Sequence, residues 1–196
     1  MRVKRLVVEF TTNRNLIMLN KSKLLTIIIG ASALFPLNIP ASAHSKITNQ
    51  SKVFINGIGS VQVGMTVAQA SKAAGTKLVT SGKEPLCSYY TLQNGTKDIA
   101  FKVNKGRISG VDIFKGKIAT ASGARIGDTE ARIKALYPGQ IKVSTNAYNT
   151  KGHYLTFVPK KQSDKNYRIV FVTDGKRVIQ YKAGKLPEVE FIEGCL

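Results

Sequence analysis

The sequence predicts an α+β fold in which a helix-plus-antiparallel-sheet unit occurs twice in tandem, the two copies sharing one core. Three observations carry the prediction. Residues 64–75 line up with residues 127–138 at an offset of 63, each segment reading as a glycine turn followed by a short helix. A strand and a β-hairpin follow each helix. One such unit has too little sheet to bury its own apolar face, whereas two can share a core.

In the first copy, Thr66 and Gln69 form the T-x-x-Q capping box, in which each side chain satisfies a free amide at the helix start. Met65 is placed to pack on Ala70 as a hydrophobic staple, Val67, Ala70, Ala73 and Ala74 make an apolar stripe, and Gly75 stops the helix. In the second copy Thr129 is the matching cap and Arg132 replaces the glutamine. Asp128 and Glu130 set negative charge against the positive end of the helix dipole. Ile133, Leu136 and Tyr137 form its stripe, and Pro138 with Gly139 stops it.

Strands are expected over residues 87–92 and 154–158. Residues 99–103 turn at 104–106 and return over 107–113. Residues 167–172 turn at Asp174 and Gly175, a strong hairpin signal, and return over 177–181. Phe101 corresponds to Phe171 and Arg107 to Arg177 at an offset of 70, the added length being the polar loop 159–166. Glu188 and Glu190, with Val189 and Phe191 between them, read as the wet face of a short edge strand.

The N-terminus reads as a secretory leader. Residues 18–23 form a basic n-region, residues 24–37 an apolar h-region of about 14 residues, and Ala41-Ser42-Ala43 an A-x-A cleavage signal. The apolar run falls short of the roughly 20 residues a spanning helix needs, with Pro36 near its end and Pro40 after it. Met18 offers an alternative start that gives a more ordinary leader. The expected organisation is a leader over residues 1–43, a flexible arm over 44–56, a first repeat over 57–118 and a second over 119–196. The protein is thus expected to be exported, periplasmic or secreted, with no transmembrane span after cleavage.

The whole chain has 30 Lys+Arg against 11 Asp+Glu. Removing the 6 basic and 1 acidic side chains of residues 1–43 leaves 24 and 10, a net +14 over the exported part. The lysines are scattered, Lys160 and Lys161 being the longest run, so this is not a basic tail. Such a surface attracts anionic envelope material or an acidic partner protein. Nucleic acid is disfavoured for an exported chain without RNP, OB or helix-turn-helix signatures. Cys87 and Cys195 both lie in the exported part, and an even count there reads as one disulfide clamping the C-terminal tail. Closing a loop of about 100 residues contributes roughly 4 to 5 kcal/mol in the chain-entropy model.

Chemistry-bearing motifs are missing from the sequence. There is no H-E-x-x-H, G-x-S-x-G, Walker loop or C-x-x-C, so no catalytic residue, metal ligand or cofactor is assigned. His153 begins a strand with no identifiable nucleophile in reach, and His44 sits at the expected new N-terminus. Glu188, Glu190 and Glu193 are the acidic cluster. Tyr90 and Tyr154 are the candidate aromatic contacts of a binding face, and Lys160 and Lys161 its candidate charges.

The Gly-x-Thr helix starts, the aromatic strands and the F-x-V-x-x-G-[KR]-[IV] hairpin resemble the small SmpA/OmlA outer-membrane lipoprotein domain, twice over. The tandem arrangement looks like that of the β-lactamase inhibitor protein, with two helix-plus-sheet repeats forming a concave sheet. Gly57-Ile58-Gly59, residues 63–66 and 125–131 and the terminal Glu193-Gly194-Cys195 also look like a group of uncharacterised exported bacterial proteins. The chain departs from the lipoproteins in lacking a lipid-acceptor cysteine at the cleavage site. The resemblance brings no established activity; the lack of a recognisable nucleophile, metal set or cofactor loop and the excess of positive charge around an antiparallel sheet point instead to a non-enzymatic binding module of the envelope or secretome, contacting a protein partner through its sheet face, a hydrolase it inhibits being one candidate. A binder of anionic cell-surface glycan or lipid, and an enzyme of unrecognised type, are the alternatives.

Overall fold

Strands separated by tight turns dominate the chain, as its alternating apolar and polar residues require. The computed structural model describes residues 46–80 and 87–195, and the expected leader and its cleavage signal lie outside them. In chain order the elements are β1 (Lys52–Phe54), β2 (Gly57–Ile58), β3 (Val61–Gln62), α1 (Val67–Ala74), β4 (Leu78–Thr80), β5 (Cys87–Leu92), β6 (Ile99–Asn104), β7 (Arg107–Ile113) and β8 (Ala119–Thr120). There follow α2 (Glu130–Leu136), β9 (Ile141–Asn146), β10 (Asn149–Phe157), β11 (Tyr167–Thr173) and β12 (Val178–Lys185).

The strands make two sheets. A small one has the order β3-β2-β1-β8, with β1 and β8 parallel. The large one, antiparallel at each pairing, runs β4-β5-β6-β7-β12-β11-β10-β9. The molecule is mostly β, with two α-helices of eight and seven residues among the described residues. The expected tandem repeat of helix-plus-sheet units is therefore not the architecture. The physical reason is edge pairing. A hairpin standing alone would leave β7 and β12 with unpaired backbone groups, and their mutual pairing merges all eight strands into one continuous sheet. A second, separate sheet completes the fold, and neither helix is long enough to cover a sheet of its own.

The local motifs that suggested two units are nevertheless present. Thr66 caps α1 through a complete capping box, Gly75 ends it in the left-handed conformation, and Thr129 caps α2 by accepting from the Arg132 amide. Arg107 Nη1 donates to the Gly64 carbonyl at 2.8 Å and Arg177 Nη1 to the Gly127 carbonyl at 2.7 Å, so a hairpin arginine braces the turn before each helix.

Two further expectations are corrected. The arm over residues 44–56 was expected to be loose, yet from Lys46 on it belongs to the fold. Ile47 is buried, its amide donates to the Ala74 carbonyl at 3.3 Å, and Val53 is fully buried in β1. The edge strand expected around Glu188 and Glu190 is a single 3-10 turn, Glu188–Glu190. It crosses a face of the large sheet, where no free ladder exists for it to join.

The core lies between the helices, the small sheet and one face of the large sheet. Phe101, Ile113, Ile133, Leu155, Phe171 and Tyr181 are fully or almost fully buried in it, each contributing roughly 1.5–3 kcal/mol. Tyr137 joins Phe157 and Phe171 at centroid separations of 4.7 and 5.8 Å, and Phe171 meets Tyr181 at 5.6 Å. The two buried phenols are satisfied: Tyr181 donates to the Ile118 carbonyl at 2.9 Å, and Tyr137 shares a 2.8 Å hydrogen bond with Thr120. No helix among the described residues is long and apolar enough to cross a membrane.

Candidate binding face

Side chains alternate across a strand, so residues between the core positions of β5–β12 share the other face of the large sheet. Registers place two rows there. Tyr89, Lys102, Gly110, Gly184 and Arg168 follow one another across β5, β6, β7, β12 and β11. Asp112, Lys182, Val170, Thr156 and Lys142 follow across β7, β12, β11, β10 and β9. The paired glycines, Gly110 and Gly184, place no side chain on this face between Lys102 and Arg168.

The C-terminal segment after β12 lies over part of this face. Its 3-10 turn packs against β7, β12 and β11, and the segment ends at Cys195, whose sulfur sits at disulfide distance from that of Cys87 with the Cα atoms 5.1 Å apart. Lys102, 1% exposed, donates from Nζ to the Glu188 carbonyl at 2.9 Å. Lys182, 5% exposed, donates from Nζ to the Phe191 carbonyl at 2.5 Å. Asn104 Nδ2 donates to Glu188 Oε1 at 2.5 Å, and the carboxylate's other oxygen is buried without a hydrogen-bond partner. The Tyr89 phenol donates to Asp112 at 3.0 Å.

Buried charges are costly unless partnered, and these partners are tail carbonyls, a neighbouring carboxylate and the Tyr89 ring, whose centroid lies 5.9 Å from Lys102 Nζ. Two ammonium groups share one enclosure. Burial, and then repulsion from Lys102, push the Lys182 ammonium down to about 8. Burial and the Asp112 carboxylate hold the Tyr89 phenol above its ordinary range.

Beyond the tail the face opens into a groove of about 550 Å³, the size of a small-ligand or side-chain site. Lys142 and Ser144 of β9, Tyr154 and Thr156 of β10, Arg168 of β11 and Lys182 of β12 line it, with Glu190 and Ile192 of the tail along one side. Three cationic side chains thus face one carboxylate, Glu190, which pairs with Arg168 at 3.7 Å. Tyr154 is held by its hydroxyl, which donates to Asn146 at 3.0 Å.

Of the four candidate binding residues named from sequence, Tyr154 lies in this groove and the other three do not, while Glu190 of the acidic cluster lines its side. Tyr90 packs against the core on the opposite face, since it is Tyr89 that shares a face with Lys102. Lys160 and Lys161 are exposed after β10, outside the groove lining. The groove cations Lys142 and Arg168, and the covered Lys102, Asp112 and Lys182, were not singled out. The signal for Lys102, Asp112 and Lys182 was available as charged residues in the strand phases 101–103, 111–113 and 181–183, each flanked by apolar neighbours.

His153 has a structural setting. Its Nδ1 is 2.8 Å from Glu130 Oε1, the Thr173 hydroxyl donates to the same oxygen at 2.5 Å, and the His153 amide donates to Thr173 Oγ1 at 3.0 Å. Burial raises the Glu130 carboxyl, but these hydrogen bonds outweigh it and hold the group below its ordinary value. The cluster ties the first turn of α2 to β10 and β11. Among the described residues no group of three or more His, Cys, Asp or Glu could hold a metal ion.

No protein-family model matches the chain, and no curated protein matches it significantly. Among solved structures, the chain is similar to the uncharacterized protein yfeY from Escherichia coli, with 16% identity and a TM-score of 0.45 over 68% of this chain and 99% of that one.

Proposed function

We propose that this protein is an exported, non-enzymatic binding module that contacts a partner protein through the half-open face of its large sheet. One observation carries the reading: a groove whose lining combines three cations, Lys142, Arg168 and Lys182, with an aromatic side chain, Tyr154, and a single carboxylate. That chemistry selects an acidic partner surface with an apolar contact, the cations giving orientation and the tyrosine short-range area. The cysteine pair at disulfide distance is compatible with an oxidising, exported compartment, and the net +14 of the exported chain supports attraction to acidic partners.

The test is capture from an envelope extract on immobilised protein, comparing wild type with Tyr154→Ala and Arg168→Gln. The expected result is a protein retained by wild type at about 0.15 M salt and lost with either variant, because the Debye length of about 8 Å leaves contact pairs effective. Equal retention by the variants, or retention of glycan or lipid alone, would overturn the reading.

A further inference from the structure

The tail is built as a cover with a latch at its end. Of residues 187–195 only Val189 is buried, while Phe191 and Ile192 are 45% and 50% exposed. The remaining attachments are polar: Lys102 and Lys182 to main-chain carbonyls, Asn104 to Glu188, Arg168 to Glu190, and the Tyr148 hydroxyl to Glu193. A segment with one apolar anchor is held largely by its tether, and that tether is the Cys87–Cys195 pair, 108 residues apart in sequence. The tail also displays what the face accepts. Glu188, Glu190 and Glu193 are interspersed with Val189, Phe191 and Ile192; Arg168 meets the Glu190 carboxylate, Lys102 and Lys182 meet main-chain carbonyls, and the Glu188 and Glu193 carboxylates take Asn104 and Tyr148.

We propose that Pro187–Cys195 is a latched internal mimic of a partner's acidic segment, and that reduction of the Cys87–Cys195 bond opens the covered half of the binding face to that segment. The inference rests on the reading of this face as the partner site. In the opening step a protein dithiol supplies two electrons and two protons. The Sγ–Sγ bond breaks, Cys87 and Cys195 become thiols, and the reductant leaves as its own disulfide. While the bond is closed the tail competes intramolecularly at high effective concentration, and once it opens, a partner segment of the same chemistry can replace it. Lys102 and Lys182 then exchange tail carbonyls for partner acceptors, so neither ammonium is left unpaired.

The experiment uses the full exported chain, oxidised, reduced with dithiothreitol, and as Cys195→Ser. Two readouts are taken: acetylation of Lys102 and Lys182 by mass spectrometry, and binding of a fluorescent peptide with the sequence of residues 187–193, with circular dichroism to establish that each form is folded. The expected result is that both lysines are protected in the oxidised form and react at least about tenfold faster in the reduced and Cys195→Ser forms. Peptide binding is expected to be tighter by a similar factor. Should Cys195→Ser fail to fold, the reduced wild type carries the test alone. Unchanged lysine protection, or equal peptide binding in all forms, would overturn the latch. Loss of the groove reading shows separately, as failure of both the oxidised and the reduced protein to retain an envelope partner.

Discussion

Lys182 concentrates the electrostatic character of the covered face in one residue. Its ammonium is enclosed by the tail, faces Asp112 across the β7–β12 pairing, and is repelled by Lys102. An unfolded lysine titrates near 10.5, whereas the native group is pushed down to about 8. Between these values the unfolded chain binds more protons than the native one, so stability rises with pH across that window, and the cost of burying the charge is complete below it. Unfolding free energy measured in urea is expected to increase by on the order of 2 kcal/mol from pH 7 to 9.5, and Lys182→Met is expected to abolish the increase. A rise that survives the substitution would assign it elsewhere. Above about pH 10 the comparison ends, because the raised phenols of Tyr89 and Tyr181 keep protons the unfolded chain loses and pull stability down. The charges at 102, 112 and 182 were legible as strand-phase residues, but a wet face and a face under a tail give the same alternation. The cover comes from residues more than 70 positions away from Lys102 and Asp112, and local pattern carries no sign of it.

The elements owe their arrangement to a seam. β7 and β12 join the two hairpins, and at Gly110–Gly184 the backbones approach so closely that a Cβ on Gly184 would stand 2.6 Å from the Gly110 Cα. That contact is with backbone, which cannot rotate away. Gly184→Ala is therefore expected to lower stability by more than about 2 kcal/mol, read as a shifted urea midpoint, and a near-unchanged midpoint would show that the seam can part without loss. The hairpins, the capping box at Thr66 and the Thr129 cap were readable because each is specified within a few residues. The merging of the hairpins was not, since nothing in a strand's own residues says which edge it will meet. The packing of the arm escapes local pattern for a related reason: Ile47 is an isolated apolar residue in a polar stretch that becomes core beside the end of α1, and Val53 becomes core through the pairing of β1 with β2 and β8. Around Glu188 the alternation resembled a strand, but a segment laid across a face has no ladder partners and curls into a 3-10 turn.

At the scale of the molecule, charge and contact occupy different places, and this separates their kinetic effects. Lys160 and Lys161 are exposed outside the groove, whereas Tyr154 stands inside it, hydroxyl-anchored to Asn146. On the proposed reading as a binding module, the net +14 of residues 44–196 acts at long range, raising the rate at which an acidic partner arrives, and that effect fades as the Debye length falls from about 10 Å at 0.1 M salt to about 3 Å at 1 M. Short-range contact instead sets how long the partner stays, because the desolvated aromatic area must be re-exposed before it leaves. With the partner captured on this face, Lys160→Gln combined with Lys161→Gln is expected to slow association by a few-fold at low salt and leave dissociation unchanged. Tyr154→Ala is expected to speed dissociation by about tenfold or more with little change in association. Surface plasmon resonance at two salt concentrations separates the two. If the lysine pair altered dissociation instead, the loop after β10 would belong to the contact surface, and the groove would extend beyond Val158 into that loop.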